Sequence, residues 1–411
     1  MKEMLEKYRE ELEAELESIL HYWMTYVIDK EQGGFYGRID NDNTIYREAP
    51  KGSVLNCRIL WTFSSAYNFT GNKQYLEVAD HAFNYIIHHF IDKEYGGVFW
   101  TLDYKGRPLD TKKQIYALAF ALYGISEYQI ATGSQQAKEV ALELHYSIEQ
   151  YSHDKTNLGY VEALTRDWQQ IEDLRLSSKD ANEKKSMNTH LHLLEAYANL
   201  YRIWPGEELK RNIEELIDLF LKHIINEETN HLVLFFDDRW QARSNIISYG
   251  HDIEAAWLIL EAAEGIGDDL LSNRVKNISV KIVGAAREGL DEDGGLWYEY
   301  DSAKQHLVKE KHWWVQAEAM VGFFNAWQIT SDETYFFDSF NNWQFVKMQI
   351  RNNDTGEWFW GVKEDNSRMQ GQDKVGMWKC PYHNSRACIA IIKRIKKMEA
   401  FSIKASSSSF S

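Results

Sequence analysis

One kind of segment recurs six times along the chain, and its spacing limits the possible folds more than any other feature. It reads DKEQGGFYGRID from Asp29, DKEYGGVFWTLD from Asp92 and DKTNLGYVEAL from Asp154, then NEETNHLVLFFDD from Asn226, DEDGGLWYEYD from Asp291 and NNDTGEWFWGV from Asn352. Each copy joins an acidic or amide turn, often with glycine, to a short alternating aromatic run, which is the pattern of a turn leading into a short strand or hairpin. Successive copies begin 63, 62, 72, 65 and 61 residues apart. A period of that size marks a structure built from like units.

Two helical patterns lie between consecutive turns. The first of each pair is apolar and rich in small residues, over Ser53–Thr70, Lys112–Thr132, Ser186–Trp204, Ser248–Gly265 and Lys311–Thr330. The second carries a clearer polar face, over Lys73–Phe90, Gln135–Tyr151, Glu207–Ile225, Leu270–Gly289 and Glu333–Ile350. Pro381–Ala400 matches the first kind, and N-terminal Leu5–Met24 supplies its missing partner of the second kind. Helices apolar all round belong inside and amphipathic ones outside. The expected fold is therefore all-α, an (α/α)6 barrel of six helix hairpins with short strand segments at one end. An open helical-repeat solenoid is the alternative, but six units completed by the two termini favour closure. Residues 1–400 form one catalytic domain on this reading. The last residues, Lys404–Ser411 (KASSSSFS), look like a disordered tail or an expression scar.

Charge and composition exclude several function classes. A formal net charge of −16 argues against a nucleic-acid or anionic-membrane partner, since either would repel the chain. Three cysteines (Cys57, Cys380, Cys388) have neither metal-site nor disulfide spacing, which suits a reducing, cytoplasmic compartment. The charged N-terminus lacks the apolar core of a secretory signal, and no run of about 18 apolar residues occurs.

Each turn feeds the start of a first-type helix, so the residues early in those helices are expected to meet at one mouth of the barrel. They are Arg58, Tyr116, Asn188 with His190 and His192, His251 with Glu254, Trp313 and Trp314 with Glu318, and His383 with Arg386. Histidines at that position in three repeats point to proton chemistry. His251 and Glu254 are one turn apart on SYGHDIEAAW, the usual arrangement for fixing a tautomer. His190 and His192 are about 200° apart around a helix, so only one faces the mouth, and the spacing leaves open which. Three histidines and a glutamate are enough for zinc, but no HExxH motif is present, and no nucleotide motif sits in a strand-to-helix context. Trp100, Trp297, Trp358 and Trp360 lie in the turns, and Trp313, Trp314 and Trp378 lie near helix starts. Some of these pack the core, and others have the apolar face and polar handle that stack on a sugar. The long third connection, Tyr160–Lys185, reads as a solvated loop or a lid.

MNTHLHLLEAYANLYR, GHDIEAAW, KHWWVQAEAMVGF and GMWKCPYHNSRAC, in this order, resemble the N-acylglucosamine 2-epimerase superfamily, and within it the branch acting on β-1,4-linked disaccharides. The likeness spans roughly residues 1–400. It implies a cofactor-free, metal-free isomerase, a monomer or weak homo-oligomer, that inverts C2 of the reducing-end sugar of cellobiose, lactose or mannobiose. On these positions the resemblance makes His251 and His383 the acid/base pair, with Glu254 orienting His251 and Arg58 stabilising the developing oxyanion. It selects His192 over His190 to complete the set and aid ring opening. Tyr116, Asp180, Asn188, Trp313, Trp314, Glu318 and Trp378 would hold the sugar. The competing expectations are a monosaccharide 2-epimerase or aldose–ketose isomerase on the same barrel, a glycoside hydrolase using Glu254 and Glu318, and a non-catalytic binding module.

Overall fold

The computed structural model describes residues 1–408, with side chains through residue 400. The tail expected from 401 onward lies outside the residues described with side chains, and residues 409–411 lie outside the described residues altogether. Among the described residues there are twelve α-helices, paired in chain order: α1 (Lys2–Tyr22), then α2 (Ser53–Thr70) with α3 (Lys73–Tyr85), and α4 (Ile115–Thr132) with α5 (Gln135–Tyr151). They continue as α6 (Met187–Tyr201) with α7 (Glu207–Leu219), α8 (Tyr249–Gly265) with α9 (Asp269–Ala286), α10 (Trp313–Thr330) with α11 (Glu333–Phe345), and α12 (Tyr382–Ser408).

The even-numbered helices form a closed inner ring, in which each packs on the next and α12 packs on α2. The odd-numbered helices form the outer ring, and α1 packs on α12. The fold is an (α/α)6 barrel. The two sequence types explain the sorting. In α4, Ile115–Tyr128 is buried without interruption, whereas α7 buries only Leu209, Ile213, Leu216, Ile217 and Leu219. Among the described residues no helix is long and apolar enough to cross a membrane.

Two- and three-residue strands stitch neighbouring repeats together at one end. Lys51–Gly52 pairs with Thr101–Leu102, Lys113–Gln114 with Ala163–Leu164, and Lys185–Ser186 with Phe235–Phe236. Ile246–Ser248 pairs with Glu299–Asp301, and Lys311–His312 with Gly361–Val362. Ile39–Asp40 then meets Asp373–Val375, so the last repeat is tied to the first and the ring has no free end. The helix boundaries differ from expectation for the same reason. The residues just before α4, α6, α8 and α10 are held in strands, so those helices start one to three residues late. Helices α1, α3, α7 and α11 finish in a wider π-turn, as at Ile86–Phe90, before entering the next turn segment.

A buried lysine locks five of the six turns to the inner helix that it precedes. Lys51 Nζ lies 2.8 Å from Asp29, Lys113 2.8 Å from Asp92, Lys185 2.9 Å from Asp154, Lys311 2.7 Å from Asp291, and Lys379 2.9 Å from Glu357. These pairs sit at the base of the mouth and fix the height at which each inner helix begins. The repeat before α8 has no such lysine. There Asp252 accepts from His231 Nδ1 at 2.7 Å and from the Leu232 N–H.

Candidate active site

Because the strands hold every inner helix at one level, the first turns of the ring face a common space. The side chains there enclose a cavity of about 290 Å³. Arg58, Tyr116, Asn188, His192, His251, Glu254, Trp313, Trp314 and His383 reach it from the six inner helices, and Trp378 reaches it from the segment before α12. The long third connection supplies one wall through Leu176–Asp180. It is pinned there, since Gln114 Nε2 donates to the Leu174 and Arg175 carbonyls and Lys112 Nζ donates to the latter.

The indole of Trp314 neighbours both outer imidazoles, with ring centres 4.7 Å from His251 and 5.8 Å from His383. His383 donates Nδ1–H to Glu318 Oε1 at 2.7 Å, and His192 donates Nδ1–H to Glu195 Oε2 at 2.9 Å. Carboxylates on Nδ1 fix the tautomer and leave Nε2 with a free lone pair. His251 Nδ1 instead meets the hydroxyl of Ser248 at 2.8 Å, a group that can donate or accept. Burial pushes His251 down to about 3, with His192 adding to the effect. Burial also takes His383 well below the usual histidine range, helped by Arg58 and Arg386. Both rings are therefore neutral at pH 7 and ready to take a proton.

Arg58 is the unbalanced charge of the cavity. Its Nη2 donates to the Tyr116 hydroxyl at 2.7 Å, and its guanidinium lies 4.1 Å over the Phe120 ring. It is 3% exposed, and among the described residues no carboxylate lies within ion-pair distance. A buried cation without a counter-ion is unfavourable unless a ligand brings negative charge to it. The site is thus a wall of tryptophan with two neutral bases and one uncompensated cation, an arrangement that can remove a proton from carbon and hold the resulting oxyanion.

The N-acylglucosamine 2-epimerase family model matches residues 34–387. The chain belongs to that family. It is 49% identical over 385 residues to the cellobiose 2-epimerase of Bacteroides fragilis, covering 93% of this chain and 98% of that one. It is 40% identical to the cellobiose 2-epimerase of Dictyoglomus turgidum, over 92% of this chain and 96% of the other. The solved cellobiose 2-epimerase from Bacillus thermoamylovorans superposes with a TM-score of 0.91 at 37% identity, covering 95% of this chain and all of that one.

Two of the expectations for this epimerase-family site need correction. Glu254 does not orient His251. Its carboxylate is taken by Arg386 Nη2 at 2.6 Å, and Ser248 holds the imidazole instead. A full positive charge outcompetes a neutral ring for a buried carboxylate. Glu318 is not on the cavity wall. It lies behind His383, where it also accepts from Trp257 Nε1 at 3.0 Å and Arg386 Nη2 at 2.7 Å. Trp358 is in the core, donating to Glu15 Oε1 at 2.7 Å. Between the two histidine candidates of α6, His192 faces the cavity. His190 is turned away and fully buried, with Nε2 accepting from the Tyr160 N–H at 2.9 Å and Nδ1 on the Ser186 carbonyl.

The residue that spacing alone left without a role is Arg386. Its guanidinium joins Glu195, Glu254 and Glu318 and also meets the Tyr382 hydroxyl. Burial pushes Glu195 up, but Arg386 and His192 outweigh it and hold that acid at about 2. Glu254 is pushed up to about 7 by burial and by the nearby Glu318. The same guanidinium bears on metal binding. Glu254, Glu318 and His383 have metal-like spacing, but Arg386 fills the space between the two carboxylates, and His383 Nδ1 already donates to Glu318. These donors do not fit a metal ion.

Proposed function

We propose that the chain is a disaccharide 2-epimerase of the cellobiose 2-epimerase type, a cytoplasmic enzyme that works without cofactor or metal as one catalytic unit over residues 1–400. The substrate's ring opens so that C2–H lies beside an aldehyde. Removing that proton leaves an enediolate with its negative charge on O1. The observation that carries this reading is Arg58, a buried cation without a counter-ion beside two neutral imidazoles in one cavity. Abstraction by a positioned base supplies about 10²–10⁴-fold. A preorganised donor on the oxyanion adds about 2.7–4 kcal/mol, and Arg58 is placed for that work.

His251 and His383 both neighbour Trp314, so both imidazoles can reach C2 of an enediolate held beside the indole. His192, with a free Nε2, suits proton transfer during ring opening. Tyr116, Asp180, Asn188, Trp313 and Trp378 complete the sugar pocket. Cellobiose would be converted to glucosyl-mannose, lactose to epilactose, and mannobiose in the reverse sense.

Incubation of cellobiose with the enzyme in D₂O, followed by NMR, tests the reading directly. Deuterium at C2 of recovered cellobiose together with glucosyl-mannose is the expected result. Accumulation of a ketose, release of free glucose, or turnover of monosaccharides alone would overturn it.

A further inference from the structure

The barrel has a second end. There the C-terminal halves of α2, α4, α6 and α8, with Arg386, Ile389, Ala390 and Lys393 of α12, enclose another cavity of about 310 Å³, as large as the catalytic one. The Arg386 network separates the two, and Arg386 and Glu195 form the inner floor of the far cavity. Its wall is aromatic. Trp61 and Tyr123 stack with ring centres 5.2 Å apart and planes within 17°, and Trp257 adds a third ring.

Most charged groups around this cavity are already satisfied. Arg202 donates to Glu127 at 2.9 Å and to Asn199 at 2.6 Å, and Arg386 is held by three carboxylates. Several polar groups are not, and one of them is the buried Nε1 of Trp61, which has no partner among the described residues. The Tyr123 hydroxyl has no partner among the described residues, although Tyr123 is only 8% exposed. The Glu261 carboxyl, which is exposed, has neither a hydrogen bond nor an ion pair among them. Lys393 has no carboxylate partner among the described residues.

One free group of each sign leaves no net attraction for an ion, and a hydroxyl with two charged hydrogen-bonding groups disfavours an apolar ligand. An aromatic face ringed by unpaired polar groups is matched by a neutral, hydroxyl-rich ring. We propose that this cavity is a second carbohydrate site, taking one pyranose unit against Trp61 and Tyr123 with hydrogen bonds from Tyr123, Glu261 and Lys393. The site is independent of the catalytic mouth in its contacts. It shares a floor with it, since Glu195 holds His192 and Arg386 braces Glu318, which holds His383.

Methyl β-D-glucopyranoside is a suitable probe, because its blocked anomeric centre prevents ring opening. Calorimetric titration of the whole enzyme should resolve two binding events, and a soaked crystal should place one sugar at each end. Tyr123→Phe combined with Glu261→Gln should weaken one event at least tenfold and leave the other, and turnover of cellobiose, unchanged. Neither substitution removes a hydrogen bond among the described residues, so folding is preserved, and an unchanged melting temperature checks this. A single event unaffected by the double substitution, sugar density in the mouth only, or binding at crystal concentration only would overturn the proposal. None of these results depends on the reaction assigned to the mouth.

Discussion

Replacing Glu318 by Gln tests whether the carboxylate behind His383 drives the chemistry or only fills space. Glu318 accepts from His383 Nδ1 at 2.7 Å, Arg386 Nη2 at 2.7 Å and Trp257 Nε1 at 3.0 Å. A glutamine oxygen kept toward His383 and Arg386 turns the new NH₂ against the Trp257 N–H. The opposite orientation sets NH₂ against the Arg386 guanidinium, so the first is favoured and the His383 tautomer survives. What is lost is charge. Exchanging a charge-assisted hydrogen bond for a neutral one removes about 1–1.5 kcal/mol. Removing a full carboxylate about 4 Å from the imidazolium removes up to about 4 kcal/mol at an effective dielectric constant of 20. The kcat for cellobiose should therefore fall between about tenfold and a thousandfold. KM should change little, because Glu318 lies off the cavity wall. Initial rates measured by NMR, with a melting curve to check folding, give both numbers. A kcat within threefold of wild type, with Tm unchanged, would refute the reasoning.

Ser248→Ala removes the hydroxyl that holds His251 Nδ1. Loss of a neutral hydrogen bond worth about 0.5–1.5 kcal/mol should lower kcat roughly two- to tenfold without raising KM, as steady-state kinetics will read. Gly250→Ala sets a Cβ 2.6 Å from the Trp314 ring and 2.8 Å from Val315 Cγ2. Trp314 must then move away from the two imidazoles, and activity should fall by at least tenfold while circular dichroism stays unchanged. His145 is fully buried, with neither ring nitrogen partnered, and burial pushes it down to about 4. The unfolded chain takes up this proton first as the pH falls, so the stability due to neutral His145 is full above about pH 6.5. It is lost between there and pH 4, about 3 kcal/mol in all. His145→Phe should flatten that part of the stability–pH curve in denaturant titrations. An unchanged slope would show that His145 is not the titrating group.

The sequence made the barrel legible because its evidence is periodic. Six turns at near-constant spacing, each followed by one fully apolar and one amphipathic helix, leave little freedom once the two termini complete the count. The lysine clamps were equally regular and were missed. Lys51, Lys113, Lys185, Lys311 and Lys379 each stand two or three residues before an inner helix. Lysine reads as a surface residue unless a buried acid is known to await it. The acid lies 20 to 31 residues upstream, at the first position of a turn in four of the five cases.

The gathering of Arg58, His251 and His383 followed from the same regularity, since similar helix starts bring early positions to one rim, whereas the choice of His192 over His190 came from the family resemblance. The hydrogen-bond pattern did not follow. Spacing showed that His251 and Glu254 share a helix face, and a one-turn His–Glu pair was the natural reading. That reading assumes the carboxylate has no stronger suitor. Arg386 arrives from another helix 132 residues later and takes Glu254 and Glu318 together. His383 then shares Glu318 with it, and His251 is left to Ser248. The asymmetry that results is chemical. A carboxylate fixes His383 with Nε2 bare, whereas a hydroxyl rotor lets His251 present Nε2 either bare or protonated. Inversion that runs in both directions needs at least one residue able to change between base and acid. The pairing that a local pattern could not supply is therefore what distinguishes the two histidines.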